Sequence, residues 1–96
     1  MRVRLARLAQ RDIADATDWY EAQRAGLSAR FINAVDRVLT RIGDNPAQFP
    51  AIHASARRAL VGRFPYGVYF EVVGEYVRVV AIVHLKREAQ AWRSRL

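Results

Sequence analysis

The chain begins with a strand-like pattern of apolar positions and then changes to a helical one. In the opening "RVRLARLA", Val3 and Leu5 fall on one side of the backbone, which predicts a short, half-buried strand. From residue 10 to about residue 24 the inward positions follow helical spacing, at i, i+4 and i+7: Ile13, Thr17 and Tyr20. One side of this helix carries four carboxylates: Asp12, Asp15, Asp18 and Glu21. We expect them to face solvent or to pair with the basic N-terminal segment.

A second helix is predicted after the "GLS" break at residues 26–28. Ser28 has a side chain suited to an N-cap. The apolar stripe that follows has spacing i, i+3, i+4, i+7 and i+11: Phe31, Ala34, Val35, Val38 and Ile42. Gly43 and Pro46 are expected to end this helix. Two successive helices joined by a short turn predict a helical hairpin.

The second half of the chain has the pattern of β-strands. Residues 43–56 form the longest irregular stretch, and three strands are predicted after it, at 57–63, 66–73 and 76–84. Gly74-Glu75 lies between two β-rich runs, with glycine in the first position as a type II′ turn requires. The last two strands should therefore form a tight hairpin.

This turn implies a register, and the register sorts the residues onto two sheet faces. It pairs Val73 with Tyr76, Glu71 with Arg78, Tyr69 with Val80 and Gly67 with Ile82. One face is then wholly apolar, and the helices should cover it: Tyr66, Val68, Phe70, Val72, Val77, Val79, Ala81 and Val83. The opposite face carries a mixture of polar and apolar residues: Gly67, Tyr69, Glu71, Arg78, Val80, Ile82 and His84. Only the C-terminal tail is left to cover this face. The predicted fold class is α+β, with an N-terminal strand, an α-helical hairpin and a three-stranded antiparallel meander, the helices packed on one face of the sheet.

Composition narrows the class of protein. A chain of 96 residues that is 52% hydrophobic predicts a single domain over residues 1–96. It has no apolar run of about 18 residues and no signal-like stretch near Met1, so we expect a cytoplasmic protein without membrane contact. With no cysteine and only His53 and His84, neither a metal nor another cofactor is expected. The formal net charge of +7 favours nucleic acid or an acidic protein as partner.

Three arginines form the most basic stretch, "RRALVGR", which contains Arg57, Arg58 and Arg63 and no acidic residue. Guanidinium groups bind phosphates and carboxylates in a bidentate manner, which favours a partner-binding role. A strand with charged outward positions, or an edge protected by charge against aggregation, would explain the same pattern.

The C-terminal segment carries the other candidate chemistry. His84 ends the last strand and could act as a general acid or base beside Lys86 and Arg87, or it could be a structural histidine that bonds the backbone. Trp92, next to Arg93, could stack on nucleic-acid bases. We favour its burial against the sheet, with the tail arginines in water.

Five segments, in order along nearly the whole chain, resemble the RelE/ParE superfamily of bacterial type II toxins, and most of all its ParE or plasmid-stabilisation branch. They are "LAQRDIADATDWY", "GLSARF", "IGDNPAQFP", "RRALVGRFPYGVYFEV" and "VVAIVHLKREAQAWRSR". The resemblance implies a toxin that is neutralised by a small, acidic cognate antitoxin, with operator DNA bound only through the toxin–antitoxin complex. It also implies one of two targets. RelE-like members cleave mRNA on the ribosome with basic and aromatic residues on the open sheet face, whereas ParE-like members are linked to poisoning of DNA gyrase and lack that set.

The residues favour the ParE-like, non-enzymatic alternative. Nucleases of this fold resemble "YR" where this chain has Tyr66-Gly67, so an arginine is missing from the open face. By analogy with one oxyanion-hole donor, losing one transition-state cation costs about 2.7–4 kcal/mol. The alternatives are a ribosome-dependent mRNA endonuclease, with candidate catalytic residues His84, Lys86, Arg87 and Trp92, and a decayed or non-toxic basic binding domain. Partner contacts are predicted at Arg57, Arg58, Arg63, Tyr69, Arg78, Arg87, Trp92 and Arg93.

Overall fold

The computed structural model describes residues 1–87 and 90–96. Its strands are β1 (Arg2–Leu5), β2 (Ala51–His53), β3 (Ala56–Leu60), β4 (Tyr66–Val73) and β5 (Tyr76–His84). Its helices are α1 (Arg7–Gln23), α2 (Leu27–Asp44) and the short α3 (Gln90–Arg93), with a 3₁₀ turn at Pro46–Gln48. Within these residues the strands form one sheet in the order β1-β5-β4-β3-β2, in which β1 is parallel to β5 and the other neighbours are antiparallel. The α+β prediction is confirmed.

Most predicted elements are present, with changed ends. β4 and β5 have the predicted bounds, and Gly74 between them has a φ of +58°, a value that glycine adopts readily. α1 begins at Arg7 rather than residue 10, and β3 ends at Leu60 rather than residue 63. The stretch predicted to be irregular contains β2, because the short "AIH" segment pairs with β3 at the sheet edge.

The predicted register of the β4–β5 hairpin is wrong beyond Val79. Phe70 pairs with Val79 as expected, but Tyr69 pairs with Ala81, so Val80 is an extra residue in β5. This is a β-bulge, and it moves every later position of β5 to the other side of the sheet. The run "VVAIV" is apolar at each position, so alternation alone could not locate the bulge.

The bulge therefore corrects the assignment of residues to the two faces. On the helix-side face, Ile82 joins the core, and Val72, predicted to be covered, is 43% exposed near the hairpin tip. The helix-side core also holds Phe31, Val35, Val38, Ile42, Val68, Phe70, Val77 and Val79. The opposite, tail-side face carries a second buried cluster, which consists of Ala56, Tyr69, Val80, Ala81, Val83 and Trp92. Two of its members, Ala81 and Val83, were predicted to lie on the helix side.

The turn between the helices is capped differently from the prediction. Gly26 is the N-cap of α2, with a φ of +91°, and Ser28 lies inside the helix. The Glu21 carboxylate accepts hydrogen bonds from the Gly26 N–H at 3.1 Å and from the Ser28 hydroxyl at 2.6 Å. α1 thus supplies the acceptor for the first turn of α2, where backbone N–H groups lack helical partners.

The end of α2 also differs from the prediction. Gly43 is the penultimate residue of the helix and does not terminate it. A Cβ at this position would lie 3.0 Å from the Met1 carbonyl oxygen, and the Met1 amino group donates to the Gly43 carbonyl at 2.6 Å. Glycine is needed here for the close approach of β1 rather than for helix termination.

We expect Thr17→Val to raise the free energy of unfolding by about 1 kcal/mol, because the Thr17 hydroxyl is buried without a hydrogen-bond partner in the described chain. Valine keeps the shape and has a similar helix propensity. Urea unfolding monitored by circular dichroism measures the change. Thr40→Val is the control, since the Thr40 hydroxyl is exposed and already bonded to the Asp36 carbonyl. A loss of stability in Thr17→Val would contradict the assignment.

The Glu21 cap should make stability depend on pH. Its hydrogen bonds to Ser28 and Gly26 lower the pKa of this carboxyl below its ordinary value. A depressed folded-state pKa stabilises the protein above the unfolded pKa, and this contribution disappears as pH falls through the folded pKa. Wild type should therefore be more stable than Glu21→Gln at neutral pH, and the two should converge in acid. A difference independent of pH between 3 and 7 would contradict the prediction.

Candidate functional site

The three arginines of "RRALVGR" do not form one patch. Alternation along β3 places Arg57 on the helix-side face, where its guanidinium donates to the Phe49 carbonyl at 2.5 Å in a partly buried position. Arg58 lies across from Tyr69 on the tail-side face. Arg63 is exposed in the β3–β4 turn with a φ of +70°. Arg57 thus holds the segment before β2 against β3, on the opposite sheet face from Arg58.

The tail-side face is closed by two stacked rings. The Trp92 ring lies 5.1 Å from that of Tyr69, with 11° between their planes, and Trp92 is only 5% exposed. The guanidinium of the exposed Arg93 lies 5.4 Å from the Trp92 ring centroid. The tail therefore buries its tryptophan against the sheet, as the sequence favoured.

Gly67 makes room for this stack. A Cβ at Gly67 would lie 3.0 Å from Cε1 and 3.2 Å from Cζ of the Tyr69 ring, closer than ordinary contacts allow. The Tyr69 ring thus covers the position at which the resembling nucleases carry an arginine. Elsewhere on this face, Arg78 forms a 3.0 Å ion pair with Glu71, its cross-strand neighbour as predicted, so its charge is already partly compensated.

His84 was predicted on the open face with Gly67 and Tyr69, and this placement is wrong. Because of the bulge, His84 pairs with Tyr66 and faces a cleft of about 460 Å³ between α1 and the adjoining ends of β4 and β5. The two rings meet edge to face, with centroids 5.4 Å apart. His84 Nδ1 accepts a hydrogen bond from the Lys86 backbone N–H at 3.1 Å, which fixes the ring and the following turn.

The cleft has aromatic and aliphatic walls with charged groups on its rim. Its lining consists of Asp12, Asp15, Ala16, Trp19, Tyr20, Pro65, Tyr66, Ile82, Val83, His84 and Arg87. Burial raises the pKa of the Tyr66 phenol, Arg87 opposes this change, and Asp12 adds to it. Burial, reinforced by Tyr66, likewise raises the pKa of Tyr20. Both phenols are therefore neutral O–H donors at physiological pH.

An ion pair between α1 and the tail completes the edge of β5 next to the cleft. Arg95 Nη1 lies 2.5 Å from Asp12 Oδ2, and the Asp12 and Arg95 side chains are 9% and 18% exposed. Beyond Val79 the β5 edge has no β1 partner, and the pair takes its place. Asp12 accepts from the Ile82 N–H at 3.0 Å, and Arg95 donates to the Val80 carbonyl at 3.2 Å.

Two predictions about charged residues are thereby corrected. Asp12 pairs with the C-terminal segment rather than with solvent or the N-terminal arginines, and Arg95 is not an arginine left in water. The two residues are 83 positions apart, and no local pattern links them.

The structure thus separates the predicted site residues into groups. His84, Arg87 and the unpredicted Tyr66 and Trp19 meet at the cleft, whereas Tyr69, Trp92 and Arg93 lie together on the tail-side face. Lys86 is exposed beside the cleft. The adjacent pair Trp19-Tyr20 held a signal for this site, because two successive aromatic residues on one helix cannot both face the core.

Among the described residues, no three His, Asp or Glu side chains lie close enough together to hold a metal ion. In the same part of the chain, no helix combines the length and apolar character needed to cross a bilayer.

Comparison with known proteins assigns the chain to a family. No curated protein matches the sequence significantly. Among solved structures, a chain of the "Chromosomal ParDE TA system from P. aeruginosa" superposes with a TM-score of 0.78 at 17% identity, covering 88% of this chain and 95% of that one. At this identity the likeness is one of fold. The family model described as "ParE toxin of type II toxin-antitoxin system, parDE" matches residues 3–89. The chain therefore belongs to the ParE toxin family of type II toxin–antitoxin systems.

Proposed function

We propose that this protein is a toxin neutralised by a cognate acidic antitoxin, and that it inhibits DNA gyrase by protein–protein binding without catalysing a reaction. The observation that carries the non-catalytic part is the Tyr69–Trp92 stack over Gly67. Nucleases of the resembling branch use basic and aromatic groups on this open face. Here the face is filled by packed rings, and the space beside Gly67 cannot take a side chain without displacing Tyr69.

The proposed antitoxin partner follows from family membership and charge. A chain with a net charge of +7 attracts an acidic segment at long range and accelerates its association. A disordered segment that folds on binding can cover a large area of such a surface. Binding of operator DNA would then belong to the complex, through the antitoxin.

A supercoiling assay tests the gyrase target. Purified toxin should inhibit supercoiling by gyrase or trap cleaved DNA with it, and equimolar antitoxin should restore activity. The same titration with toxin premixed with antitoxin controls for nonspecific effects of a basic protein. Normal supercoiling at a large excess of toxin would overturn this target.

A ribosome-dependent endoribonuclease is the second candidate, because His84, Tyr66 and Arg87 lie together at the cleft. A histidine could transfer a proton there while Arg87 stabilises developing negative charge. Primer extension on translated mRNA would then show cuts at defined codon positions, and His84→Ala and Arg87→Ala would abolish them. Intact transcripts during growth arrest would exclude this function, and normal growth on expression would favour a non-toxic binding domain instead.

A further inference from the structure

The cleft between α1 and the ends of β4 and β5 has the size of a ligand site. Its volume of about 460 Å³ falls within the common range for such sites, roughly 300–1,000 Å³. Trp19 forms one wall of the cleft and is 57% exposed. A tryptophan side chain stabilises a core or an interface mainly through the large apolar area that it buries. Ile82, Pro65 and Tyr66 extend the apolar lining. An apolar side chain entering this cleft would cover the exposed Trp19 ring.

On its Arg87 side, the cleft favours an acceptor-rich occupant with a negative charge, because the Asp12 carboxylate is already paired with Arg95. Arg87 is exposed and forms no ion pair with any described side chain. The Tyr20 and Tyr66 phenols, which are neutral O–H donors, also line the cleft. Three donor groups therefore lie in the cleft next to an apolar wall. A carboxylate or a peptide carbonyl is the matching ligand chemistry.

Asp15 gives the occupant an orientation. It lies on the α1 rim and is exposed, whereas Arg87 and His84 lie on the opposite rim at the end of β5. A carboxylate near Asp15 would be repelled, so an anionic group must lie on the Arg87 side.

We propose that this cleft is an anchor site for an acidic peptide segment, which inserts one large aliphatic or aromatic side chain against Trp19 and places a neighbouring carboxylate on Arg87. The identity of the segment rests on the proposed function, which makes it part of the antitoxin. Most of the binding energy at protein interfaces comes from a few anchors of this kind, surrounded by groups that exclude water. Occupation of the cleft would also hide His84 and Tyr66 from any other ligand.

Calorimetric titration with the product of the reading frame adjacent to this gene, which the family resemblance implies is the antitoxin, tests this assignment. Trp19→Ala should weaken binding at least about tenfold, and Arg87→Glu should do the same with a smaller dependence on salt. The matched controls are Val72→Ala, an exposed apolar residue at the far end of β4, and Arg37→Glu, an exposed arginine of α2 outside the cleft. Both controls should stay within about twofold of wild type.

Trp19 also provides a direct optical readout. In a Trp92→Phe background, Trp19 is the remaining tryptophan, and its emission should shift to shorter wavelength when an apolar side chain covers it. Unchanged emission at saturation, or equal affinities for cleft and control variants, would overturn the anchor site while leaving antitoxin binding intact. Absence of binding to wild type would instead overturn the proposed partner, and the inference with it.

Discussion

Replacing Trp92 by alanine is expected to lower the free energy of unfolding by about 3–5 kcal/mol. Trp92 is 5% exposed and stacks on Tyr69, so its removal leaves a cavity over the tail-side face. The aliphatic members of that cluster, including Val80 and Val83, would then be exposed to water. The large effect follows because Trp92 belongs to the buried cluster on the sheet face opposite the helices, which no helix-side residue covers.

Trp19→Ala is the matched control, since it deletes the same atoms at a site that is 57% exposed. We expect it to change stability by no more than about 1 kcal/mol. Urea unfolding monitored by far-ultraviolet circular dichroism compares the two variants without depending on tryptophan emission. Similar losses at both positions would show that the Trp92 stack does not stabilise the fold.

The second large effect is expected for Asp12→Ala, which should cost about 3 kcal/mol. The substitution leaves the Arg95 guanidinium, itself only 18% exposed, without its counter-charge. It also removes the acceptor of the Ile82 N–H, and an unpaired buried donor is costly by itself. Loss of this pair therefore weakens both the β5 edge and the attachment of the tail.

Asp15→Ala is the control for this substitution, because Asp15 lies on the same helix, is exposed and forms no ion pair with a described residue. Its effect should stay within about 0.5 kcal/mol. In an Arg95→Ala background, Asp12→Ala should cost only the unpaired Ile82 N–H, since the ion-pair part of the loss has already been incurred. Additive losses in the double variant would contradict a coupled pair.

Local patterns predicted the order of elements well. The stripe from Phe31 to Ile42 and the Gly74-Glu75 turn each reflect a short-range rule, and the structure contains α2 and the β4–β5 hairpin where these rules placed them. The helix starts were less predictable. The acceptor for the first turn of α2 comes from Glu21, in the preceding helix, rather than from Ser28.

The positions of the candidate site residues were harder to predict from the sequence, and the bulge at Val80 explains why. A single extra residue in a strand reverses the facing of each residue that follows, and an all-apolar run does not reveal it. His84 consequently lies at the cleft beside Tyr66 rather than on the tail-side face. The cleft itself depends on α1 lying against the end of β5, which brings Trp19 near Arg87.

The sequence by itself determined the α+β class, the helical hairpin, the meander, the positive charge and the resemblance to the ParE toxin family, because these follow from periodicity, turn chemistry and ordered motifs. The tertiary structure decided which side chains are buried or paired within the fold and which remain exposed to a partner. It placed Trp92 on Tyr69, paired Asp12 with Arg95 and left Trp19 and Arg87 facing an open cleft. Such contacts join residues far apart in the chain, and the free energy that selects them comes from burial and from the pairing of charges, which act only once the chain has folded.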